Sequence, residues 1–229
     1  MALVRILFLA LAAAMSSAMT PVRATERFLA LGDSYTIGEG VPAEARWPVL
    51  LAQRLRDAGI GIEDPKIVAT TGWTTDELSA AMDATAFSPP YALVTLLIGA
   101  NNQYRARSLA NYRAEFSQLL SRAIALAGER SSRVVVVSIP DWGVTGFARA
   151  QHRDPRRVAI EIDAFNATAR AIARDRGVAF VDVTTLSRAA GDADDMLVAD
   201  RLHPSAAQYR RWTDPIFAAA RQALATKAR

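Results

Sequence analysis

One serine and one histidine in this chain are placed where they could carry out acyl transfer. Ser34 lies in Gly32-Asp33-Ser34, directly after the apolar run 28–31. Ligands of open parallel sheets sit beyond strand ends of this kind, where a following helix offers free N–H groups. A serine hydroxyl is a weak nucleophile until a base takes its proton, so this chemistry also requires a histidine, an orienting carboxylate and oxyanion donors. Taken alone, Asp33 and Ser34 are equally consistent with a simple helix cap.

The chain has only two histidines, His152 and His203. Asp200 precedes His203 by three residues, a separation that one turn can close, so its carboxylate could reach Nδ1 and leave Nε2 for Ser34. Pro204 restricts His203 to extended backbone and suits the start of a helix. His152 lies among arginines in a polar loop and is expected at the surface. His203 is therefore the candidate base.

Three groups could act as oxyanion donors: the backbone N–H groups of Ser34 and Gly72 and the side-chain amide of Asn101. Each follows the end of a predicted strand. Because the carboxyl ends of parallel strands meet at one edge of a sheet, these donors could converge, and preorganised donors stabilise a tetrahedral oxyanion. Gly72 alone is better explained by a simple turn, until the other donors are considered with it.

The elements that would position these residues form an α/β pattern. Buried strands are predicted at 27–31, 66–70, 92–98, 133–139 and 178–183; helices are predicted at 47–58, from 76 onward, at 109–127, 156–176 and 205–227, and the connection 184–199 is predicted to be irregular. Strands that alternate with helices predict a three-layer α/β/α sandwich with a doubly wound, mainly parallel five-stranded sheet.

The N-terminus has the pattern of a signal peptide. Arg5 precedes the apolar run 6–15, which is too short to span a bilayer, and the small residues 16–18 follow. Residues 1–24 are predicted to be this segment, with cleavage after Ala18 or Ala24; a buried N-terminal helix is the alternative. Residues 25–229 are then expected to form a single domain, exported to the periplasm or the extracellular space without a stable membrane anchor.

Composition argues against several other classes of function. The chain of 229 residues has no cysteine and a formal net charge of only +4, with arginines scattered among acids, so no nucleic-acid partner and no disulfide framework are expected. Its two lysines are Lys66 and Lys227, which leaves no Walker-type lysine. We expect no metal and no cofactor. The basic stretch Arg149, Arg153, Arg156 and Arg157 and the acids Asp192, Asp194 and Asp195 are interpreted as solvated surface.

Taken together, the motifs resemble those of the GDSL-type esterases and lipases, the SGNH hydrolases. The similar blocks, in family order, are Gly32-Asp33-Ser34, Gly72, Gly99-x-Asn101 and Asp200-x-x-His203. The resemblance implies that Ser34 is the nucleophile, His203 the general base and Asp200 its orienting partner. It also implies that Gly72 and Asn101 join the Ser34 amide as oxyanion donors, in a flavodoxin-like fold without a metal.

Two positions depart from the family pattern. Tyr35 stands where the first block usually has leucine, and Asn102 stands where the third usually has aspartate. Neither departure removes a catalytic group. The second removes a carboxylate beside Asn101, so it puts the local hydrogen bonds and the orientation of Asn101 in doubt.

The function expected from the sequence is hydrolysis of a small-molecule carboxylic ester through an acyl-enzyme. The loops beyond the strand ends carry Trp73, Tyr104 and Trp142, which are candidate substrate contacts or ordinary packing residues. These loops are otherwise polar and show no long apolar lid, which favours short acyl chains. Lysophospholipase or thioesterase activity, carbohydrate O-acetylesterase activity and a non-catalytic binding protein are the alternatives, and the oligomeric state stays open.

Overall fold

The computed structural model describes residues 25–225, in which strands and helices alternate along the chain. In chain order the elements are β1 (Phe28–Gly32), α1 (Ser34–Ile37), α2 (Trp47–Asp57), β2 (Lys66–Ala69), α3 (Thr75–Asp83), β3 (Leu93–Leu97), α4 (Ala100–Tyr104), α5 (Leu109–Leu126), β4 (Val134–Val137), α6 (Gly146–Ala150), α7 (Pro155–Asp175), β5 (Ala179–Val181), α8 (Thr184–Ala190) and α9 (Ala206–Ala225). The predicted signal peptide, residues 1–24, lies outside the described residues.

The five strands form one parallel sheet in the order β2-β1-β3-β4-β5. The predicted doubly wound sheet is confirmed, and its strands are entirely parallel. In this order the chain leaves β1 in one direction to reach β2 and crosses back over β1 to reach β3. The crevice at the carboxyl ends of β1 and β3 is therefore the switch point at which such sheets bind ligands.

Two groups of helices cover the sheet. The helices α2 and α9 pack against each other, and α9 also contacts β3, β4 and β5. The other group contains α3, α5 and α7, in which α5 contacts β3 and α7 contacts β4 and β5. Every residue of β1, β3 and β4 is buried. Burial on both faces explains why the central strands are continuous apolar runs rather than alternating ones.

In the two helices that pack against each other on one face of the sheet, α2 and α9, buried apolar residues are spaced by four. Trp47, Leu51 and Leu55 in α2 are fully buried, and so are Trp212 and Ile216 in α9. Residues spaced by four lie on one face of a helix, so each helix presents one apolar stripe to the sheet. None of the described helices is long and apolar enough to cross a membrane.

The sequence prediction was wrong about the connection after β5. This segment was expected to be irregular, but its first seven residues form α8 (Thr184–Ala190). The carboxylate of Asp182 accepts the backbone N–H of Thr184 at 2.8 Å, which supplies one of the acceptors that the first turn of a helix lacks. Asp182 lies within the segment predicted to be a strand, just before the N-cap residue Val183, so the sequence does not mark the start of this helix.

Candidate active site

The chain turns sharply from β1 into α1, and this turn presents Ser34. Asp33 caps α1 by accepting the Tyr35 backbone N–H at 3.0 Å, and Ser34 is the first residue of the helix. A side chain at Gly32 would lie 2.5 Å from the Leu97 carbonyl oxygen of β3, so only glycine allows β1 and β3 to pass this closely at the turn. The cap and the nucleophile candidate are therefore both present, and neither interpretation of the motif excludes the other.

Ser34, His203 and Asp200 form one hydrogen-bonded series. The Oγ of Ser34 lies 2.9 Å from Nε2 of His203, and Nδ1 of His203 lies 2.6 Å from Oδ2 of Asp200. Ser34 and His203 are buried, whereas Asp200 is partly exposed. This geometry fits a base that takes the serine proton through one ring nitrogen while a carboxylate holds the other.

The surroundings of Asp200 favour its ionised form. Partial burial opposes its ionisation, but hydrogen bonds from the His203 ring and from the backbone N–H groups of His203 and Leu202 outweigh burial and lower the pKa of Asp200. The carboxylate thus fixes the orientation of the imidazole, and the lowered pKa favours its charged form. The other histidine, His152, is exposed and takes no part in this series.

Tyr35 packs against the histidine. Its buried ring lies 5.4 Å from the His203 ring and 6.3 Å from that of Trp212 in α9, measured between ring centroids. The two rings are tilted by 55° to each other, so Tyr35 limits the space around the imidazole while Asp200 holds its Nδ1 atom. The sequence marked Tyr35 only as a departure from the usual leucine; contact with His203 depends on the tertiary structure.

The candidate oxyanion donors line one cavity with the serine. This cavity has a volume of about 160 Å³ and is lined by Ser34, Tyr35, Thr71, Gly72, Ala100, Asn101, Tyr104, Trp142, Phe147, Leu202 and His203. Among residues 25–225, no acceptor within the protein bonds the backbone N–H of Ser34 or of Gly72. Two unused N–H donors therefore belong to the residues around the serine hydroxyl, as an oxyanion hole requires.

Hydrogen bonds hold the loop of Gly72 against the start of α4. Gly72 has a φ of +90°, in the region that favours glycine, and its carbonyl accepts from Nη2 of Arg105 at 2.6 Å. Asn101 donates from Nδ2 to the Trp73 carbonyl at 2.9 Å. A carboxamide nitrogen has two N–H donors, so one remains for a ligand in the cavity. Arg105 positions this loop by donating to the Gly72 carbonyl, a role that the sequence did not indicate.

Asn102 links the same two segments at a deeper level. Its side chain is fully buried, accepts the Thr75 backbone N–H at 3.1 Å and donates to Thr75 Oγ at 2.6 Å. The Thr75 hydroxyl in turn donates to Glu115. Because a hydroxyl has one proton, and Glu115 takes it, the partner at position 102 must donate. An amide satisfies this requirement, and an ionised carboxylate would not.

The three aromatic residues predicted to contact substrate have different surroundings. Tyr104 and Trp142 line the cavity, and their rings lie 5.3 Å apart in an edge-to-face arrangement. Trp73 is not among the lining residues; its side chain packs, partly buried, against the hydrophobic core. The structure therefore does not support Trp73 as a substrate contact. Phe147 and Leu202 line the cavity and were not recognised in the sequence.

Asp192 is a structural residue rather than part of a solvated acidic loop, which corrects the interpretation made from the sequence. Its side chain is only 13% exposed, pairs with Arg149 and Arg201, and accepts the Gly146 backbone N–H at 2.9 Å. The Arg201 carbonyl accepts the N–H of Phe147 at 3.1 Å. These bonds tie the loop that carries the histidine to the loop that lines the cavity. Asp194 is 97% exposed and matches the prediction.

A second carboxyl, that of Asp33, is fully buried next to the serine in the chain. Burial raises the pKa of Asp33 to about 7, although the Tyr35 N–H that it accepts acts in the opposite direction. Its Oδ2 atom has no hydrogen-bond partner. A fully buried carboxylate with one unpartnered oxygen is costly, and protonation removes most of that cost.

The match to a known protein family covers the segments that form the candidate active site. The sequence profile of the GDSL-like lipase/acylhydrolase family matches residues 30–211, which contain the whole hydrogen-bonded series. The chain belongs to this family. It is accordingly a hydrolase of the carboxylic-ester class. No curated protein matches the chain significantly at the sequence level.

Several solved structures share the fold of this GDSL-like hydrolase. TesA is 22% identical, with 87% of this chain and 100% of that chain covered and a TM-score of 0.69. The psychrotrophic esterase EstA from Pseudoalteromonas sp. is 17% identical, with 88% and 100% covered and a TM-score of 0.68. Axe2, an acetyl xylan esterase from Geobacillus stearothermophilus, is 20% identical, with 89% and 97% covered and a TM-score of 0.64. At these sequence identities, the likeness shows a shared fold alone.

Proposed function

We propose that the protein is an exported serine esterase that cleaves short-chain acyl esters through an acyl-enzyme on Ser34. The observation that carries this proposal is the series Ser34–His203–Asp200, with distances of 2.9 and 2.6 Å, at the wall of a cavity with unused N–H donors. The EstA structure is of an esterase inhibited by monoethylphosphonate. Organophosphorus reagents of this type react with activated serine hydroxyls, which agrees with the proposed nucleophile.

In the proposed reaction, Ser34 Oγ attacks the ester carbonyl while its proton passes to Nε2 of His203. Asp200 stabilises the imidazolium, and the N–H groups of Ser34 and Gly72 with the amide of Asn101 bind the oxyanion. When the tetrahedral intermediate collapses, His203 donates the proton to the leaving alcohol. A water molecule, activated by the same imidazole, then hydrolyses the acyl-enzyme and restores the serine.

The size of the cavity supports the preference for short acyl groups. Its volume of about 160 Å³ is below the roughly 300–1,000 Å³ of pockets that enclose drug-sized ligands. Trp142 and Phe147 close one side with apolar surface, and Trp142 is fixed by donating its ring N–H to Gln103 at 2.7 Å. A long acyl chain would have to leave this cavity and lose the burial that favours its binding.

A 4-nitrophenyl ester series from acetate to palmitate tests the preference. We expect kcat/KM to be highest for acetate to butyrate and to fall for longer chains. A rise towards palmitate would contradict the proposal and favour a lipase or lysophospholipase. Parallel assays with acetylated xylan, a lysophospholipid and a thioester distinguish the remaining alternatives.

Export is part of the proposal and rests on the pattern of Arg5 and the apolar run 6–15. The mature chain is expected to begin at Met19 or Thr25. N-terminal sequencing of protein isolated from its native host tests this, and native material that begins at residue 1 would contradict it.

A further inference from the structure

A second cavity lies on the other side of the aromatic wall of the candidate active site. It has a volume of about 570 Å³, more than three times that of the cavity around Ser34. Tyr104 and Trp142 line both cavities. A substrate group that extends past these two rings would therefore enter this second cavity, which we call the arginine groove and define by Tyr104, Arg107, Trp142, His152, Arg153 and Arg157.

The arginines of this groove differ in whether a carboxylate neutralises them. Arg107 pairs with Asp76, and Arg157 pairs with Glu161 at 2.9 Å. Within residues 25–225, Arg153 has no carboxylate within ion-pair distance. Hydrogen bonds from Arg157 and Gln103 and, to a lesser degree, the charge of Arg153 lower the pKa of Glu161, but no carboxylate of the described chain forms an ion pair with Arg153.

The acidic residues that line the groove are already engaged. Glu161 accepts from Gln103 Nε2 at 2.7 Å through one oxygen and from Arg157 through the other. Asp154 accepts the backbone N–H of Arg156 at 2.9 Å and caps α7. Both carboxylates thus already accept hydrogen bonds from other groups, and neither lies within ion-pair distance of Arg153.

Arg153 rests on the wall that separates the two cavities. Its guanidinium carbon lies 5.2 Å from the ring centroid of Tyr104 and 6.0 Å from that of Trp142. Stacking on aromatic faces limits the orientations of a guanidinium and leaves the N–H donors at its edge for a ligand. The planar fork of donors matches the oxygens of a carboxylate or a phosphate.

We propose that the arginine groove binds an anionic group, a carboxylate or a phosphate, carried by the ester substrate, and that Arg153 recognises it. This inference rests on the proposed esterase function, because it gives the groove the part of the substrate that lies beyond Tyr104. Arg153 differs in this respect from its neighbours in the basic stretch 149–157. Arg149 is paired with Asp192, and Arg156 does not line the groove.

The test uses three aryl acetates that differ only in the group para to the ester: 4-acetoxybenzoate, 4-acetoxyphenyl phosphate and the neutral 4-acetoxybenzamide. At an ionic strength of about 0.01 M, Arg153→Gln is expected to lower kcat/KM up to about fivefold more for an anionic ester than for the amide, the upper end of the range for an exposed ion pair. The carboxylate and phosphate arms identify which anion the groove takes. Arg156→Gln is the matched control and is expected to leave this charge preference unchanged.

Salt provides a second measurement on the unsubstituted protein. Raising the ionic strength to about 1 M shortens the Debye length from about 30 Å to about 3 Å, so the preference for the anionic ester should shrink. The proposal would be overturned if Arg153→Gln changed kcat/KM equally for the charged and neutral esters. It would also be overturned if the unsubstituted protein and Arg153→Gln showed the same preference for the anionic ester.

A binding measurement separates this inference from the proposed function. In the Ser34→Ala protein, NMR titration with uncleaved 4-acetoxybenzoate and 4-acetoxybenzamide should give tighter binding of the anion, and Arg153→Gln in that background should remove the difference. If the unsubstituted protein hydrolyses none of the three esters, the esterase proposal fails, while this titration still decides the groove. Equal binding of the two esters in both backgrounds would contradict the anion site.

Discussion

The buried carboxyl of Asp33 makes a specific prediction about stability and pH. Its pKa is about 7 in the folded protein, against an ordinary value of 3.8. Between these values the folded state holds a proton that the unfolded state has lost. The stabilising contribution of this group is therefore complete below pH 3.8 and is lost as the pH rises through the folded pKa. Asp33→Asn removes the titration but keeps an oxygen that can accept the Tyr35 N–H.

The magnitude follows from the shift. One pKa unit corresponds to about 1.4 kcal/mol of unfolding free energy. When the pH is raised from 5 to 8, Asp33 destabilises the folded state up to its folded pKa of about 7, and not beyond it. The wild type should therefore lose up to about 3 kcal/mol of unfolding free energy relative to Asp33→Asn. Urea unfolding at the two pH values measures this difference. Because Asp33 is completely buried, solvent screening removes little of it.

Asp154→Asn is the matched control for this experiment. Asp154 also caps a helix by accepting a backbone N–H at 2.9 Å, but it is exposed. We expect its substitution to change the pH dependence of the unfolding free energy by less than about 0.5 kcal/mol. If Asp33→Asn and the wild type lose stability in parallel between pH 5 and pH 8, the account of Asp33 as a buried, protonated cap is wrong.

Three further substitutions, two of them with a control variant, test the site. His203→Ala should be nearly inactive in ester hydrolysis and His152→Ala close to wild type, because only the first ring contacts the serine; the reverse order of rates would refute the assignment of the base. Asn101→Ala should lower kcat by roughly 10²–10³, the usual effect of removing one oxyanion donor, and an unchanged kcat would exclude that role. Asn102→Asp should destabilise the protein by about 1–3 kcal/mol in urea unfolding, more at pH 8 than at pH 5, since a buried donor becomes a carboxylate. Asn111→Asp, an exposed change beside the same glutamate, should cost less, and equal costs would contradict the argument from burial.

Much of the fold could be predicted from the sequence because parallel sheets leave a strong pattern. The four valines of β4 are all buried, as an uninterrupted apolar run between two helical layers requires. Predicted strand and helix bounds lie within one or two residues of those observed for most elements. The same topology brings the residues after β1, β2 and β3 together, so a serine, a glycine and an asparagine far apart in the chain could be predicted to share one site.

The remaining features depend on contacts that no local pattern specifies. Trp73 is adjacent to Gly72 in sequence, yet its ring packs on the core, because adjacency does not fix the direction of a side chain. Asp192 resembled a solvated acid but is nearly buried between Arg149 of α6 and Arg201 of its own loop. Tyr35 contacts His203 across 168 residues of chain. Such long-range partners became visible only in the structure.

Covalent labelling of Ser34 tests the central claim most directly. The folded protein is treated with a fluorophosphonate, and its intact mass and the tryptic peptide 28–46, which contains Ser34, are analysed by mass spectrometry. The account predicts one label per chain, on Ser34, with loss of ester hydrolysis in proportion to labelling. It also predicts that Ser34→Ala is folded, unlabelled and inactive. A label on another residue, or hydrolysis that persists in folded Ser34→Ala protein, would contradict it.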